Sequence, residues 1–142
     1  METVVKHFDS LTTKELLEIL RIRNAVFVVE QNCVYQDIDG HDEESHHIFI
    51  KENDEIKAYL RIFDAGEGWA KIGRVIAVER GTGLGAKVVK AGIDACRNIL
   101  GRDKIYLEAQ CYAIGFYQKC GLAVAGEEFL EDGIPHVRME LV

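Results

Sequence analysis

The sequence predicts a single α/β domain in which an antiparallel strand meander is followed by alternating helices and strands. Three observations support this fold class. The 142 residues fit one hydrophobic core, which usually takes roughly 100–200 residues. The hydrophobic period changes from helical to alternating and back along the chain, and no internal repeat interrupts it. We therefore expect one domain over residues 1–142, with the element order β-α-β-β-β-α-β-α-β-β.

The first half of the chain supplies one helix and four strands. Thr3 to Phe8 predict a short strand, and Thr12 with Glu15 three residues later forms a capping box that starts a helix. Helical spacing of apolar residues continues to Val28, and residues 31–45 read as a loop. From His46 the period becomes two, which predicts a meander of three strands over residues 46–51, 55–63 and 69–78.

The second half alternates helices with strands. After a glycine-rich turn, an apolar stripe that includes Leu84, Val88 and Ala95 predicts a helix ending near Gly101. Four further elements follow: a strand over 104–110, a short helix over 113–120, and strands over 122–130 and 135–141. The last two strands are joined by a turn at residues 131–133.

Composition excludes several function classes. The first residues lack the pattern of a secretory signal, and no apolar run approaches the roughly 20 residues of a membrane span, so we expect a cytoplasmic protein. The four cysteines form no C-x-x-C pair, which favours reduced thiols. The spacing of His41, His46 and His47 matches no recognised ligand set, so no metal is expected.

The net charge of −7 disfavours nucleic-acid binding, because phosphates would be repelled. Acidic residues are concentrated between Asp37 and Glu44. This region is either a solvated face or an attraction for a cationic partner.

The turn "RGTGLGAKVVK" over residues 80–90 admits several interpretations. An ATP-binding P-loop is excluded, because Ala86 precedes Lys87 and Val88 follows it. Gly81, Gly83 and Ala86 satisfy a dinucleotide fingerprint, but that motif belongs to a parallel sheet rather than to the end of a meander.

Two further interpretations stay open. The glycines could simply let a strand and a helix pack closely. Alternatively, Arg80, Gly83 and Gly85 fit R-x-x-G-x-G, a turn whose backbone N–H groups and following helix N-terminus can surround a pyrophosphate.

At these residues the chain resembles the GNAT superfamily of acetyl-CoA-dependent N-acyltransferases, over nearly its full length in element order. More narrowly, it resembles the ElaA-type branch. The segments that carry this resemblance are "NAVFVVEQNCVYQDIDGHD", "GRVI", "IYLEAQ", "FYQKCGL" and "EDGIPHVRMEL". The resemblance implies a mixed central sheet, flanked by helices, whose fourth and fifth strands splay apart to admit acetyl-CoA.

The resemblance also implies a set of cofactor-binding residues. Backbone groups of Val75, Ile76 and Val78 would pair with pantetheine, and Gln110 would contact the cofactor. The pyrophosphate would lie on the turn formed by Arg80, Gly81, Thr82, Gly83, Leu84 and Gly85. The link from "GRVI" to Arg80 is shorter here than is usual in the superfamily.

Two catalytic residues are implied in the same way. Tyr117 matches the tyrosine that many members place beside the CoA sulfur, where a phenol can protonate the leaving thiolate; the alternative is that Phe116 and Tyr117 form an aromatic core pair. Glu30, in "VVEQ", is expected to be the base or an acceptor-binding carboxylate, with His46, His47 and His136 as alternatives.

The function that follows is acetyl transfer from acetyl-CoA to a primary amine by direct attack. The acceptor would be a small molecule or a lysine side chain, and the acidic loop suggests a cationic one. A non-catalytic acyl-CoA-binding regulatory module and an NAD(P)-binding protein are the alternatives. A homodimer is compatible with the superfamily.

Overall fold

A computed structural model describes all 142 residues. It contains eight strands and three α-helices. A π-helical segment, Asn24–Glu30, continues the first helix, and two short 3-10 turns lie at Phe8–Ser10 and Cys111–Ala113. The elements are β1 Glu2–His7, α1 Thr13–Arg23, β2 His46–Glu52, β3 Glu55–Gly66, β4 Trp69–Ala77, α2 Leu84–Asn98, β5 Lys104–Gln110, α3 Ile114–Lys119, β6 Leu122–Val124, β7 Phe129–Glu131 and β8 Ile134–Leu141.

All eight strands belong to one mixed sheet in the order β1-β2-β3-β4-β5-β8-β6, with β7 also paired to β8. β4 and β5 form the parallel pair. They are paired only where Trp69–Lys71 lie beside Lys104–Tyr106. Beyond Lys71 the two strands diverge, and the rest of the β4 edge is open.

Helices cover both faces of the sheet. α2 packs on one face through a core of 20 buried residues, to which α3 contributes Tyr117. α1 covers the opposite face through a smaller cluster that includes Ile19, Ile22, Phe49 and Tyr59. The capping box expected at Thr12 is present: the Glu15 N–H donates to the Thr12 hydroxyl, and the Thr12 N–H donates to the Glu15 carboxylate.

A β-bulge interrupts β4 at Arg74, whose φ of 56° is in the left-handed region. The register with β3 shifts at this position. Because the bulge adds one residue, the side chains after it change faces. Ile72 packs in the α2 core, whereas Ile76, four residues later, packs in the α1 cluster.

The predicted strand over residues 122–130 is wrong in one respect, since β6 and β7 replace it. Both short strands pair with β8, and Gly126, Glu127 and Glu128 lie exposed between them. The predicted turn before β8 is confirmed: Asp132 and Gly133 both have positive φ, at 51° and 76°, as a two-residue hairpin of type I′ requires.

The end of the first helix also differs from prediction. The helical spacing of residues 24–28 is real, but the turn there is π-helical, with the Gln31 N–H donating to the Val26 carbonyl and the Cys33 N–H to the Val28 carbonyl. No helix is long and apolar enough to cross a bilayer, and no two cysteines are paired.

Candidate active site

The divergence of β4 and β5 opens a cleft of about 1500 Å³. Its walls come from the π-helical segment, β3, β4, the glycine turn, β5, α3 and the β7–β8 hairpin. Glu30, Tyr117 and all of the predicted cofactor-binding residues except Leu84 line this cleft. Leu84 is buried in the α2 core instead.

The glycine turn presents backbone amides to one end of the cleft. Gly81 and Gly83 have φ of 77° and 78°, a conformation that L side chains rarely adopt. A Cβ at either position would meet nothing within 4 Å, so the backbone conformation, and not space, requires glycine. Gly83 precedes α2 and supplies no side-chain cap. The Leu84 N–H donates to the Thr82 hydroxyl at 3.4 Å, so the N–H groups that follow it in the first turn of the helix are the ones available to an anion.

Gly85 has a different role, because it permits a close contact. A Cβ there would lie 3.2 Å from the Phe116 ring and 3.5 Å from the Ala77 side chain. The absence of a side chain therefore lets the start of α2 pack against α3 and β4. Arg80 is exposed and forms no ion pair, so its guanidinium is free at the mouth of the turn.

The open edge of β4 carries the amides that were expected to pair with pantetheine. The Val78 N–H already donates to the Lys57 carbonyl of β3 at 2.9 Å, so this amide is not free. Backbone groups alternate direction along a strand, which turns those of Ile76 toward β3 as well. The same alternation turns the backbone groups of Val75 and Ala77 into the gap.

Tyr117 is 9% exposed and lines the cleft from α3. Its ring packs edge-on against Phe116, with centroids 5.1 Å apart, so the aromatic pair considered as an alternative does exist. The Tyr117 hydroxyl nevertheless forms no hydrogen bond within the protein. Burial, with a smaller contribution from Tyr112, raises the pKa of this phenol, so it stays protonated through the physiological range.

Glu30 ends the π-helical segment and is an exposed carboxylate in the wall of the cleft. Next to it, Gln31 reaches across to Gln110 at the end of β5. The two amides exchange hydrogen bonds of 3.2 Å in both directions. Gln110, expected to contact the cofactor, is therefore paired with Gln31, a partner that the sequence did not indicate.

Of the three histidines considered as bases, only His136 lies in the cleft. Its Nδ1–H donates to the Ile134 carbonyl at 2.7 Å, which leaves Nε2 as the lone-pair nitrogen. His47 is fully buried between the Tyr59 hydroxyl and the Asp42 carbonyl. His46 packs against His7 outside the cleft. His46 and His47 are therefore not placed to act as bases.

The aspartates of the acidic loop do not form the solvated face or the cation-attracting surface that composition suggested, whereas Glu43 and Glu44 are exposed. The three aspartates bind three arginines that come from α1, β3 and β4. The ion pairs are Arg23 with Asp37 and Asp42, Arg61 with Asp39 and Asp42, and Arg74 with Asp37 and Asp39. The charge of these three aspartates is therefore neutralised inside the protein.

This network changes the ionisation of its members. Burial by itself would raise the pKa of Asp42, but hydrogen bonds and charge from Arg23, and then from Arg61, hold that pKa below its usual value. Burial would likewise raise the pKa of Asp39, and hydrogen bonds from Arg61 and the His41 backbone lower it. Both carboxylates are thus ionised at neutral pH.

Sequence reasoning missed the buried arginines and the Gln31 contact. One signal was available: Arg23 directly follows Ile22 on the apolar face of α1, where a charged side chain needs a buried partner. No comparable signal exists for Arg61 or Gln31, because their partners are distant in sequence.

The splayed mixed sheet, the open β4 edge and the uncapped glycine turn together define an acyl-CoA N-acyltransferase fold. Residues 11–142 match the acetyltransferase (GNAT) domain family, and the chain belongs to that family, which uses acetyl-CoA.

Its similarity to individual proteins is also extensive. The chain is 40% identical to protein ElaA of Escherichia coli strain K12 over 139 residues, covering 94% of this chain and 91% of that protein. The crystal structure of E. coli ElaA aligns with a TM-score of 0.92 at 38% identity, covering 99% of each chain. An acyl-CoA N-acyltransferase from Pseudomonas aeruginosa aligns equally well, with a TM-score of 0.92 at 36% identity over all of both chains.

Proposed function

We propose that this single domain transfers an acetyl group from acetyl-CoA to a primary amine by direct attack of the amine on the thioester. The observation that carries the proposal is the open edge of β4 between the glycine turn and Tyr117. One continuous cleft thereby joins an anion-binding turn, an unpaired strand edge and a protonated phenol.

The two ends of the cleft have separate tasks in this proposal. The N–H groups of Gly81, Thr82, Gly83 and Gly85 and the Arg80 guanidinium bind the pyrophosphate. Backbone groups of Val75 and Ala77 pair with the pantetheine arm as an added strand would. Both interactions position the acetyl thioester at the apex of the splay, where the acceptor enters from the side of the π-helical segment.

Tyr117 supplies the proton for the leaving group. As the amine nitrogen bonds to the carbonyl carbon, the carbon–sulfur bond breaks and its electron pair stays on sulfur. The Tyr117 O–H donates to that sulfur and gives coenzyme A as the free thiol. The raised pKa of the phenol keeps the proton in place until negative charge develops on sulfur.

Glu30 removes the proton that the attacking amine must lose. Its carboxylate faces the cleft and accepts that proton either directly or through a water molecule. His136 is the second candidate, because the hydrogen bond from its Nδ1–H to Ile134 leaves Nε2 free as an acceptor. The three loop aspartates are paired with arginines, so they give no reason to prefer a cationic acceptor.

Calorimetric titration with acetyl-CoA tests the cofactor assignment. The wild type should bind acetyl-CoA but neither NAD nor ATP, and Arg80→Ala with Gly83→Asp should abolish that binding. Arg97→Ala is the matched control, since Arg97 is an exposed arginine on α2 outside the cleft.

Lack of acetyl-CoA binding by folded wild-type protein would overturn the proposal. Binding without acetyl transfer to any amine, together with unchanged affinity in Tyr117→Phe, would instead identify a non-catalytic acyl-CoA-binding module.

A further inference from the structure

One of the residues that line the cleft carries a buried hydrogen-bond donor without a partner. Arg61, on β3, has a side chain only 3% exposed. Its Nη1 donates to Asp39 at 2.9 Å and to Asp42 at 3.0 Å, and its Nη2 donates to Asp39. Its Nε–H has no acceptor. A buried N–H without an acceptor is unfavourable, so this donor calls for a ligand.

Gly73 lies beside that N–H group, whose nitrogen is shielded from solvent. It lies directly opposite Arg61 in the β3–β4 register, and both residues line the cleft. A Cβ on Gly73 would lie 3.7 Å from the Arg61 Nε. The φ of Gly73 is not in the positive range, so its backbone would accept alanine. The missing side chain therefore creates space beside the donor.

This space lies near the place where the reacting atoms are expected in the proposed function. Gly73 lies just past the last β4 residue paired with β5, at the apex of the splay. Val75, whose backbone groups face the gap, is two residues further on, which is at most roughly 7 Å along the strand because the bulge at Arg74 shortens the path. An oxygen atom held at the Arg61 Nε is thus close enough to belong to the same small molecule as the attacking amine.

The charges around Arg61 favour an oxygen over a second ammonium group. Asp39 forms an ion pair with Arg61, and Asp42 forms one with Arg23. Asp37 pairs with both Arg23 and Arg74. A second positive charge would find no free carboxylate in this network. An oxygen acceptor would instead receive a charge-assisted hydrogen bond from the guanidinium.

We propose that the Arg61 Nε–H binds an oxygen of the acceptor, so that the preferred acceptors carry a carboxylate or carbonyl oxygen beside the amine. α-Amino acids, their amides and peptide N-termini share this chemistry, whereas polyamines lack it. The inference rests on the proposed acetyl transfer and adds the class of substrate.

Matched acceptors provide the kinetic test. kcat/KM is measured for amino acids, for their amides and for the corresponding decarboxylated amines, for example leucine, leucinamide and isopentylamine. Wild type should prefer one of the oxygen-bearing forms by at least about tenfold. Gly73→Ala should reduce that preference, because the new methyl group fills the space beside the donor in which the oxygen would lie. Gly126→Ala is the control: its Cβ would lie 3.8 Å from Arg138 Cβ, away from the cleft.

A binding measurement makes the test independent of turnover. In proton–nitrogen NMR spectra, the Arg61 Nε–H signal should shift on titration with acetate or with acetamide in wild type and in Gly126→Ala. The shift should be lost in Gly73→Ala. A response to acetate alone identifies a carboxylate ligand, and a response to acetamide alone identifies a carbonyl ligand.

An Arg61 signal that both ligands leave unmoved would overturn the inference, whatever the enzyme acetylates. Equal use of isopentylamine and leucine would also overturn it while leaving the acetyltransferase proposal intact. Failure of the acetyltransferase proposal is recognised separately, by the absence of acetyl-CoA binding in calorimetry.

Discussion

Replacing Tyr117 by phenylalanine separates catalysis from folding and from cofactor binding. The hydroxyl group forms no hydrogen bond within the protein, and the ring stays packed on Phe116. The free energy of unfolding should therefore change by no more than about 0.5 kcal/mol. The affinity for acetyl-CoA should also be retained, because pyrophosphate and pantetheine contacts come from other residues.

The chemical step should change strongly in the same variant. Loss of a positioned general acid costs on the order of 100-fold in kcat, which corresponds to about 2.7 kcal/mol of activation free energy. Because burial raises the pKa of Tyr117, its ionisation should not lower wild-type kcat at any pH up to about 10. The kcat of the variant and the pH dependence of wild-type kcat are measured from the release of free thiol, which a disulfide reagent detects. Mass spectrometry of the acetylated amine confirms the product.

Tyr106→Phe is the matched control, since Tyr106 is a half-buried tyrosine on β5 whose hydroxyl is also unpaired and which lies outside the cleft. Its kcat should equal that of wild type. If Tyr117→Phe turned over within about twofold of wild type, Tyr117 would not be the general acid, and the proton on sulfur would have to come from elsewhere.

Three other outcomes test the turn and the ion-pair network. Gly83→Ala should lower the free energy of unfolding by about 1–2 kcal/mol in urea titrations, because φ is 78° and no neighbour is near; an unchanged midpoint would contradict the strain argument. Asp42→Ala should cost about 3–5 kcal/mol, since buried Arg23 and Arg61 lose a counter-charge; thermal unfolding that matches wild type would refute this. Asp39 and Asp42 have lowered pKa values in the folded protein. Their contribution to the free energy of unfolding is therefore complete above the unfolded-state pKa near 4 and is lost as pH falls below about 4. Urea unfolding across pH 2–6 should show that loss, and a flat profile would argue against it.

Features that depend on neighbours in sequence were predictable. The capping box at Thr12 starts α1, residues 104–110 form β5, and the Asp132–Gly133 turn joins β7 to β8. Each rests on backbone conformation or hydrogen bonds within a few residues, which local composition determines. The glycine turn belongs to this group as well, because its positive φ values need no distant partner.

The interpretation of the three aspartates in the acidic loop was wrong for the opposite reason. The loop sequence shows that Asp37, Asp39 and Asp42 are acidic, but not that Arg23 and Arg61 approach them from α1 and β3. Whether a carboxylate faces solvent or a buried guanidinium depends on which elements pack together. The sequence also did not indicate which side chains of β4 face α1 and which face α2. The bulge at Arg74 moves the side chains that follow it to the opposite face of the sheet.

By itself, the sequence determined the order of the elements, the family resemblance and the open-amide turn, all of which follow from local pattern. Only the tertiary structure decided where β4 and β5 separate, that Gln110 pairs with Gln31, and that the Arg61 Nε–H lies unpartnered beside Gly73. The β4–β5 pairing and the Gln31–Gln110 contact join residues that are 30 to 80 positions apart. Arg61 and Gly73 meet because β3 and β4 pair in one particular register. All three features depend on strand register and packing, which no single segment of the chain specifies.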